Sequence, residues 1–242
     1  MSDRINLPKD CRYFIFAYPV NPVNPVKNLS KEFTLRILNY GSLNIDLVYR
    51  VPHIVAPGET ISSTSFETFA GGKGSNQSAA LARAGAPVYH AGKVGENGRW
   101  LVEKLQILGV NVDFTRIVDA PSGHAVIQVD DNGENAIFLF PGTNHQILKE
   151  EIDETLSPFG RGDILLLQNE INEMPYLIEA ARKQGLKVCL NPAPMDEQVP
   201  AYPLDKVDIL IVNETEAAGL SGTDGTDAIL DALAAKLPGA KS

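Results

Sequence analysis

Two periods of apolar and polar positions alternate along this chain. Short, largely apolar runs at RILNYG (36–41), PVYHAG (87–92), DILLLQ (163–168), KVCLN (187–191) and DILIVN (208–213) predict strands. Runs with so few polar positions suit strands buried on both faces. Between them, SNQSAALARAG (75–85), RWLVEKLQILG (99–109) and MPYLIEAARKQG (174–185) carry helical spacing. Gly85 sits where a helix closes in the left-handed conformation that glycine takes without steric cost. Buried strands alternating with helices predict an α/β fold, a Rossmann-like parallel sheet with helices on both faces.

A second group of strand patterns interrupts that alternation. HAVIQV, DDNGEN and AIFLF (124–140) read as a hairpin turning at Asn132-Gly133. DLVYRV (46–51) and ETISSTSFETFA (59–70) are also strand-like. Together, strands from about 44–51, 59–70 and 123–140 predict a small antiparallel sheet standing off the main domain. Such a sheet beside a ligand crevice suits a lid, because closure excludes water. A hairpin with no role in the site is the simpler alternative.

Residues 1–34 differ from the rest, since the proline-spaced NPVNPV (21–26) suits neither a helix nor a central strand. They are expected to form a partly disordered extension, with the folded domain spanning 35–242.

Composition narrows the function classes. The chain has 242 residues and a net charge of −9, which argues against a general nucleic-acid binder. No apolar run reaches the roughly 20 residues of a membrane span, and no signal peptide is evident. Two cysteines, Cys11 and Cys189, make no disulfide framework and point to a reduced, cytoplasmic setting. His53, His90, His124 and His145 show no zinc-type spacing.

Candidate chemistry gathers where strands end. In GSLNID (41–46), Asn44 and Asp46 lie two apart and share a face if the chain stays extended. An amide beside a carboxylate can donate to and accept from neighbouring hydroxyls, as a sugar requires; local turn chemistry is the alternative. AGGKGSNQSAALARAG (70–85) adds backbone N–H groups, the Lys73 amine and the Asn76 amide. Its spacing matches neither the Walker A pattern nor G-x-G-x-x-G, and a tight strand-to-helix turn would also explain its glycines. Glu170 follows DILLLQ at a strand's carboxyl end, where α/β crevices hold ligands. Asn213, Glu214 and Glu216 follow DILIVN, placed either for a metal-bound nucleotide or for capping a helix.

The ordered set GSLNID, AGGKGSNQSAALARAG, LLLQNE, LNPAP and IVNETEA resembles the ribokinase-type carbohydrate kinases, from about Ile37 to Gly222. The resemblance implies an ATP- and Mg²⁺-dependent sugar kinase, with ribose the expected substrate and ribose 5-phosphate the product. It also implies a β-sheet lid that often mediates dimerisation, and a monovalent cation such as K⁺. By motif position, Asn44, Asp46, Gly72, Lys73 and Asn76 would bind the sugar, and Glu170 a further hydroxyl or a neighbouring position. Asn213 would contact nucleotide phosphates, and Glu216 would organise Mg²⁺ through water. Asn191-Pro192-Ala193-Pro194 would lie near the phosphate end.

Two departures stand out. Asn97 occupies a position where the family commonly has aspartate. The family's catalytic aspartate, anion-binding G-A-G-D turn and cation site would fall beyond Ser242, so no catalytic residue is assigned here. GTDGTDA (222–228) is expected to be a loop and helix start. Without the following strands, one sheet edge is expected to lie open. The chain is therefore expected to have little kinase activity, with a non-catalytic sugar-binding or interaction protein, or a kinase of another sugar or nucleoside, as alternatives.

Overall fold

The apolar runs become neighbouring strands of one sheet. A computed structural model describes residues 13–17, for their backbone, and residues 35–236. The elements that build the large sheet are β1 (Tyr13–Ala17), β2 (Ile37–Tyr40), β5 (Val88–Gly95), β6 (Asn111–Val118), β9 (Ile164–Gln168), β10 (Lys187–Asn191) and β11 (Ile209–Asn213). Their order is β1-β11-β10-β9-β2-β5-β6, with every neighbouring pair parallel except β1 with β11. Leu38, Leu165, Leu167, Leu190, Leu210 and Val212 are almost fully buried in the central strands, which is why these strands read as continuous apolar runs.

Helices α1 (Lys73–Arg83), α2 (Arg99–Ile107), α3 (Lys149–Leu156), α4 (Met174–Gln184), α5 (Glu214–Ser221) and α6 (Thr226–Lys236) cover the sheet. Two apolar clusters result, one under α3 to α6 and the other joining Leu43, Val88 and Val94 to Leu101 and Leu105 of α2. Gly85, Gly109 and Gly185 follow their helices with φ of 83°, 88° and 89°, as helix-closing glycines do. The loop and helix start expected over 222–228 are present, with Gly222 left-handed and α6 beginning at Thr226. None of the helices among the described residues is long and apolar enough to cross a membrane.

Sequence pattern missed β6 and α3. Most of β6 is half-buried at a sheet edge, so its residues alternate irregularly instead of forming an apolar run. The helix α3 is acidic and only eight residues long, too short for a clear periodic stripe.

The smaller sheet has the order β4-β3-β7-β8, from β3 (Asn44–Arg50), β4 (Ser65–Gly71), β7 (Gly123–Val129) and β8 (Asn135–Phe140). The expected antiparallel lid is instead mixed. Its two outer pairs are antiparallel, but β3 and β7 run parallel. The reason is connectivity: β3 continues from β2 and β7 from β6, and both leave the carboxyl ends of parallel strands in the same direction. Residues 59–64 are loop, so β4 starts at Ser65, later than its sequence pattern suggested. The hairpin turns with Gly133 at φ 85°.

Two expectations about the chain's flank change. Within the extension expected over 1–34, Tyr13–Ala17 forms a strand that pairs with all of β11, Tyr13 opposite Asn213 and Ala17 opposite Ile209. The β11 edge expected to lie open is therefore paired along its length. Cys11, the stretch 21–26 and the rest of that extension lie outside the described residues.

Candidate active site

In the large sheet, β2 and β9 are neighbours, and the chain leaves them toward opposite sides of the sheet. A crevice at such a switch point, beyond the carboxyl ends of the strands, is where α/β folds hold ligands. Ser42 to Asn44 follow β2 here, and Glu170 follows β9. The turn Gly71-Gly72 brings the chain back from the lid into α1 at the same place.

The first contacts are among these groups. Glu170 accepts hydrogen bonds from Lys73 N (2.7 Å), Lys73 Nζ (3.2 Å) and the Ser42 hydroxyl. Its carboxylate thus caps the N-terminus of α1 from a strand 97 residues away, satisfying a donor the helix itself leaves free. Ser42 Oγ in turn accepts from Gly74 N at 3.2 Å. Gly72 stands at φ 96°, and a Cβ there would lie 2.9 Å from Ser42 O, so the turn requires glycine.

Asp46 lies on β3 opposite Phe69, and its carboxylate rests on Gly71. A Cβ at Gly71 would come within 2.1 Å of Asp46 Oδ1. Burial, reinforced by the Glu170 charge, holds the Asp46 carboxyl above its ordinary range, while Lys73 pulls the other way. Asp46 is half-buried and accepts no hydrogen bond from the other described residues, which leaves its oxygens free for a ligand or water.

Asn44 begins β3 and is nearly buried, its Oδ1 accepting from Asn144 Nδ2 at 2.7 Å. Asn76 does not join this group. It is exposed, bonds through its backbone to Gly72 O (3.0 Å), and lines a small cavity between α1 and α2 of about 170 Å³. A larger cavity of about 420 Å³ opens beside Asn44 and Glu170, walled by Phe140 of the lid, Asn144, Asp196 and Tyr202.

The nucleotide-side candidates engage one another. Asn213 caps α5, its Oδ1 accepting from Glu216 N at 2.8 Å. Glu216 accepts in return from Asn213 N (3.1 Å) and Nδ2 (3.0 Å). This is the reciprocal capping box, so the helix-capping alternative is realised in full. Each carboxylate oxygen keeps lone pairs beyond these bonds, which leaves Glu216 able to accept from a water. No group of three His, Cys, Asp or Glu side chains placed to hold a metal ion exists among the described residues.

Several residues were missed by sequence reasoning. A buried amide relay joins the two halves of the crevice: Gln168 Nε2 donates to Asn39 Oδ1 (3.0 Å) and Gln77 Oε1 (2.7 Å). Gln77 passes to Asn191 Oδ1 (3.3 Å), and Asn191 Nδ2 to Ile211 O (2.9 Å). Of the motif 191–194, Asn191 thus ties β10 to β11. Asn97 accepts from Ser122 N and Oγ, at 3.2 and 2.8 Å, which fixes the approach to the lid. Ser42 lay within the quoted GSLNID, and only its position two residues before Asn44 could have signalled it.

Comparison with known proteins agrees with this geometry. The profile of the pfkB family carbohydrate kinases matches residues 34–241, and the chain belongs to that family. Within it, the chain is similar to ribokinases: 36% identical to ribokinase of Arabidopsis thaliana over 230 residues, covering 91% of this chain and 60% of that relative. Ribokinase of Haemophilus influenzae is 34% identical, over 80% of this chain and 64% of its own length. The chain therefore spans a little over 60% of these relatives. Among solved structures, ribokinase from Cryptococcus neoformans in complex with ADP superposes with a TM-score of 0.69 at 37% identity, covering 84% of this chain and 67% of that one. Arabidopsis thaliana ribokinase complexed with ribose and ATP gives 0.71 at 33% identity, covering 84% and 68%.

Proposed function

We propose that this chain carries the sugar-binding half of a ribokinase-type active site, with ATP-dependent phosphorylation of the D-ribose 5-hydroxyl as the reaction of the whole site. Asp46 is the observation that carries this reading. A half-buried carboxylate without a protein donor, seated on a glycine beneath a lid, is completed by the hydroxyls of a polyol. The Arabidopsis thaliana ribokinase structure, 33% identical, is complexed with ribose and ATP, which supports ribose over other sugars.

In this reading Asp46 accepts hydroxyl protons and Asn44 donates to a hydroxyl oxygen. Gly71 leaves room for the Asp46 carboxylate and Gly72 for the Ser42 backbone, so the turn packs closely beside the sugar. Lys73 and Glu170 hold that turn in place, and Asn76 lies at its margin. ATP, when bound, supplies the phosphoryl group; Asn213 and Glu216 stand on the nucleotide side, Glu216 toward Mg²⁺ through water. A monovalent cation such as K⁺ belongs to the same reading, without a ligand assigned here. Phosphoryl transfer depends on positioning and on stabilising charge at the transferred group. The residues named above serve the positioning of the sugar, and the chain is expected to bind ribose.

A homodimer through the lid fits the exposed apolar side chains Phe66, Ile137, Phe138, Leu139 and Phe140. Consecutive apolar residues on β8 make both faces apolar, and only one can face the cleft. A cytoplasmic location is part of the same reading, since ATP is the phosphoryl donor.

Calorimetry with D-ribose tests the sugar site: binding in the micromolar to millimolar range, abolished by Asp46→Ala in a protein that still melts cooperatively, is the expected result. No binding by the folded wild type would overturn the reading.

A further inference from the structure

We propose that Asn144 is a positioning residue that fixes the orientation of the Asn44 side-chain amide, so that Asn44 presents N–H donors to the crevice. The proposal rests on the sugar-site reading for its function, but the geometry behind it is independent of any ligand.

Leu43 N–H donates to Asn144 Oδ1 at 3.1 Å. A backbone N–H can only donate, so the atom of Asn144 facing it must be the carbonyl oxygen. The Asn144 NH₂ group then points the other way, donating to Asn44 Oδ1 (2.7 Å) and more weakly to Leu43 O (3.3 Å). An NH₂ group has no acceptor capacity, so the Asn44 atom that meets it must be its oxygen. Asn44 is left with its own NH₂ directed away from Asn144. A single invariant donor on the backbone thus decides the orientation of two side-chain amides in sequence.

The surroundings are shaped for this pair. Gly123, opposite Asn44 across the lid strands, leaves room that a Cβ would fill, 2.1 Å from Asn144 Nδ2 and 2.4 Å from Asn44 Oδ1. Asn144 is 1% exposed, and it lies just past β8, where the chain returns from the lid to the body. It therefore touches three of the four places where the chain crosses between lid and body: its own, Leu43-Asn44, and Gly123. The donor face of Asn44 is set where the lid joins the body, and it complements the acceptor Asp46 two residues on. A diol that accepts at one hydroxyl and donates at the other matches this pair.

Exchange of side-chain amide protons, measured by ¹⁵N NMR with Asn44→Ala and Asn144→Asp for assignment, tests the orientation without ligand. The Asn144 NH₂ protons should be protected about a hundredfold or more relative to those of Asn44. The reverse order, or equal exchange, would overturn the proposal whatever the protein binds. Function is tested by a double-mutant cycle read with D-ribose at about pH 8, where an aspartate at position 144 accepts but does not donate. Asn144→Asp should weaken ribose about tenfold in the wild type and less than about twofold in the Asn44→Ala background. Equal losses in both backgrounds would show a merely structural role and refute the proposal. If Asn144→Asp does not fold, Asn144→Ser carries the same cycle. Failure of the folded wild type to bind ribose, with the exchange order as stated, would remove the sugar reading while leaving the positioning of Asn44 intact.

Discussion

His90 should make this protein lose stability in mild acid, by an amount that the structure allows to be worked out. The imidazole is fully buried on β5, and burial pushes its pKa down to about 4 against a smaller opposing pull from the Gly41 backbone. Asn39 Nδ2 donates to Ser78 Oγ at 2.8 Å, and Ser78 Oγ lies 2.8 Å from His90 Nδ1. With Oγ already accepting from Asn39, the Ser78 hydroxyl is free to donate to Nδ1 of the neutral imidazole, a bond that a charged ring, donating at both nitrogens, would forbid. In the unfolded chain the same group titrates near 6.5. Between those two values the unfolded state binds one more proton than the native state, so stability falls as pH falls through 6.5 and the loss levels off near 4. The slope is about 1.4 kcal/mol per pH unit, so going from about pH 7.5 to about pH 5 costs about 2 kcal/mol from this residue alone. His90→Asn keeps an acceptor near the Nδ1 position and removes the titration. It should lower stability at neutral pH through the space it leaves, yet lose about 2 kcal/mol less than the wild type over that pH interval. Urea unfolding of both proteins at each pH, with the carboxylates common to both cancelling in the difference, measures this. Equal acid losses in the two proteins would refute the reasoning.

Three further outcomes follow from the crevice. Gly71→Ala should weaken ribose at least about tenfold and cost about 1–3 kcal/mol, because its Cβ would meet the Asp46 carboxylate at 2.1 Å; unchanged affinity by calorimetry would count against Asp46 as a ligand. Glu170→Gln should cost about 1–2 kcal/mol in a urea melt through the charge-assisted bonds from Lys73 N and Ser42. The Lys73 ammonium is 41% exposed and should add little to that loss. Asn213→Ala should cost about 1 kcal/mol through loss of the α5 cap, and a melt unaltered by it would show that the capping box does not stabilise α5.

The large sheet was legible because burial on both faces writes itself locally. DILLLQ, KVCLN and DILIVN carry the signal within five or six residues each, and the structure returns them as β9, β10 and β11. The same logic explains the omission of β6, whose half-buried edge position leaves no apolar run to read. The mixed pairing of the lid was not legible for a different reason. Strand pattern fixes which face is apolar, whereas the direction of β7 relative to β3 depends on which core strand each continues.

The site divides along the same line. Asn44, Asp46, Gly72 and Lys73 lie within two short segments, and their spacing alone raises the idea of a clamp. The groups that orient them come from far away in the chain: Glu170 meets Lys73 across 97 residues, and Asn144 meets Asn44 across 100. No local period records such contacts, because they arise where the chain crosses between the two sheets. Those crossings are also where a lid must bend. The pair Asn144–Asn44 joins two of the lid's connections, and Glu170 ties a third, at Lys73, to the loop after β9. A shift of the small sheet against the large one would therefore disturb both pairs at once, and with them the orientation of Asn44 and of the Gly71-Gly72 turn.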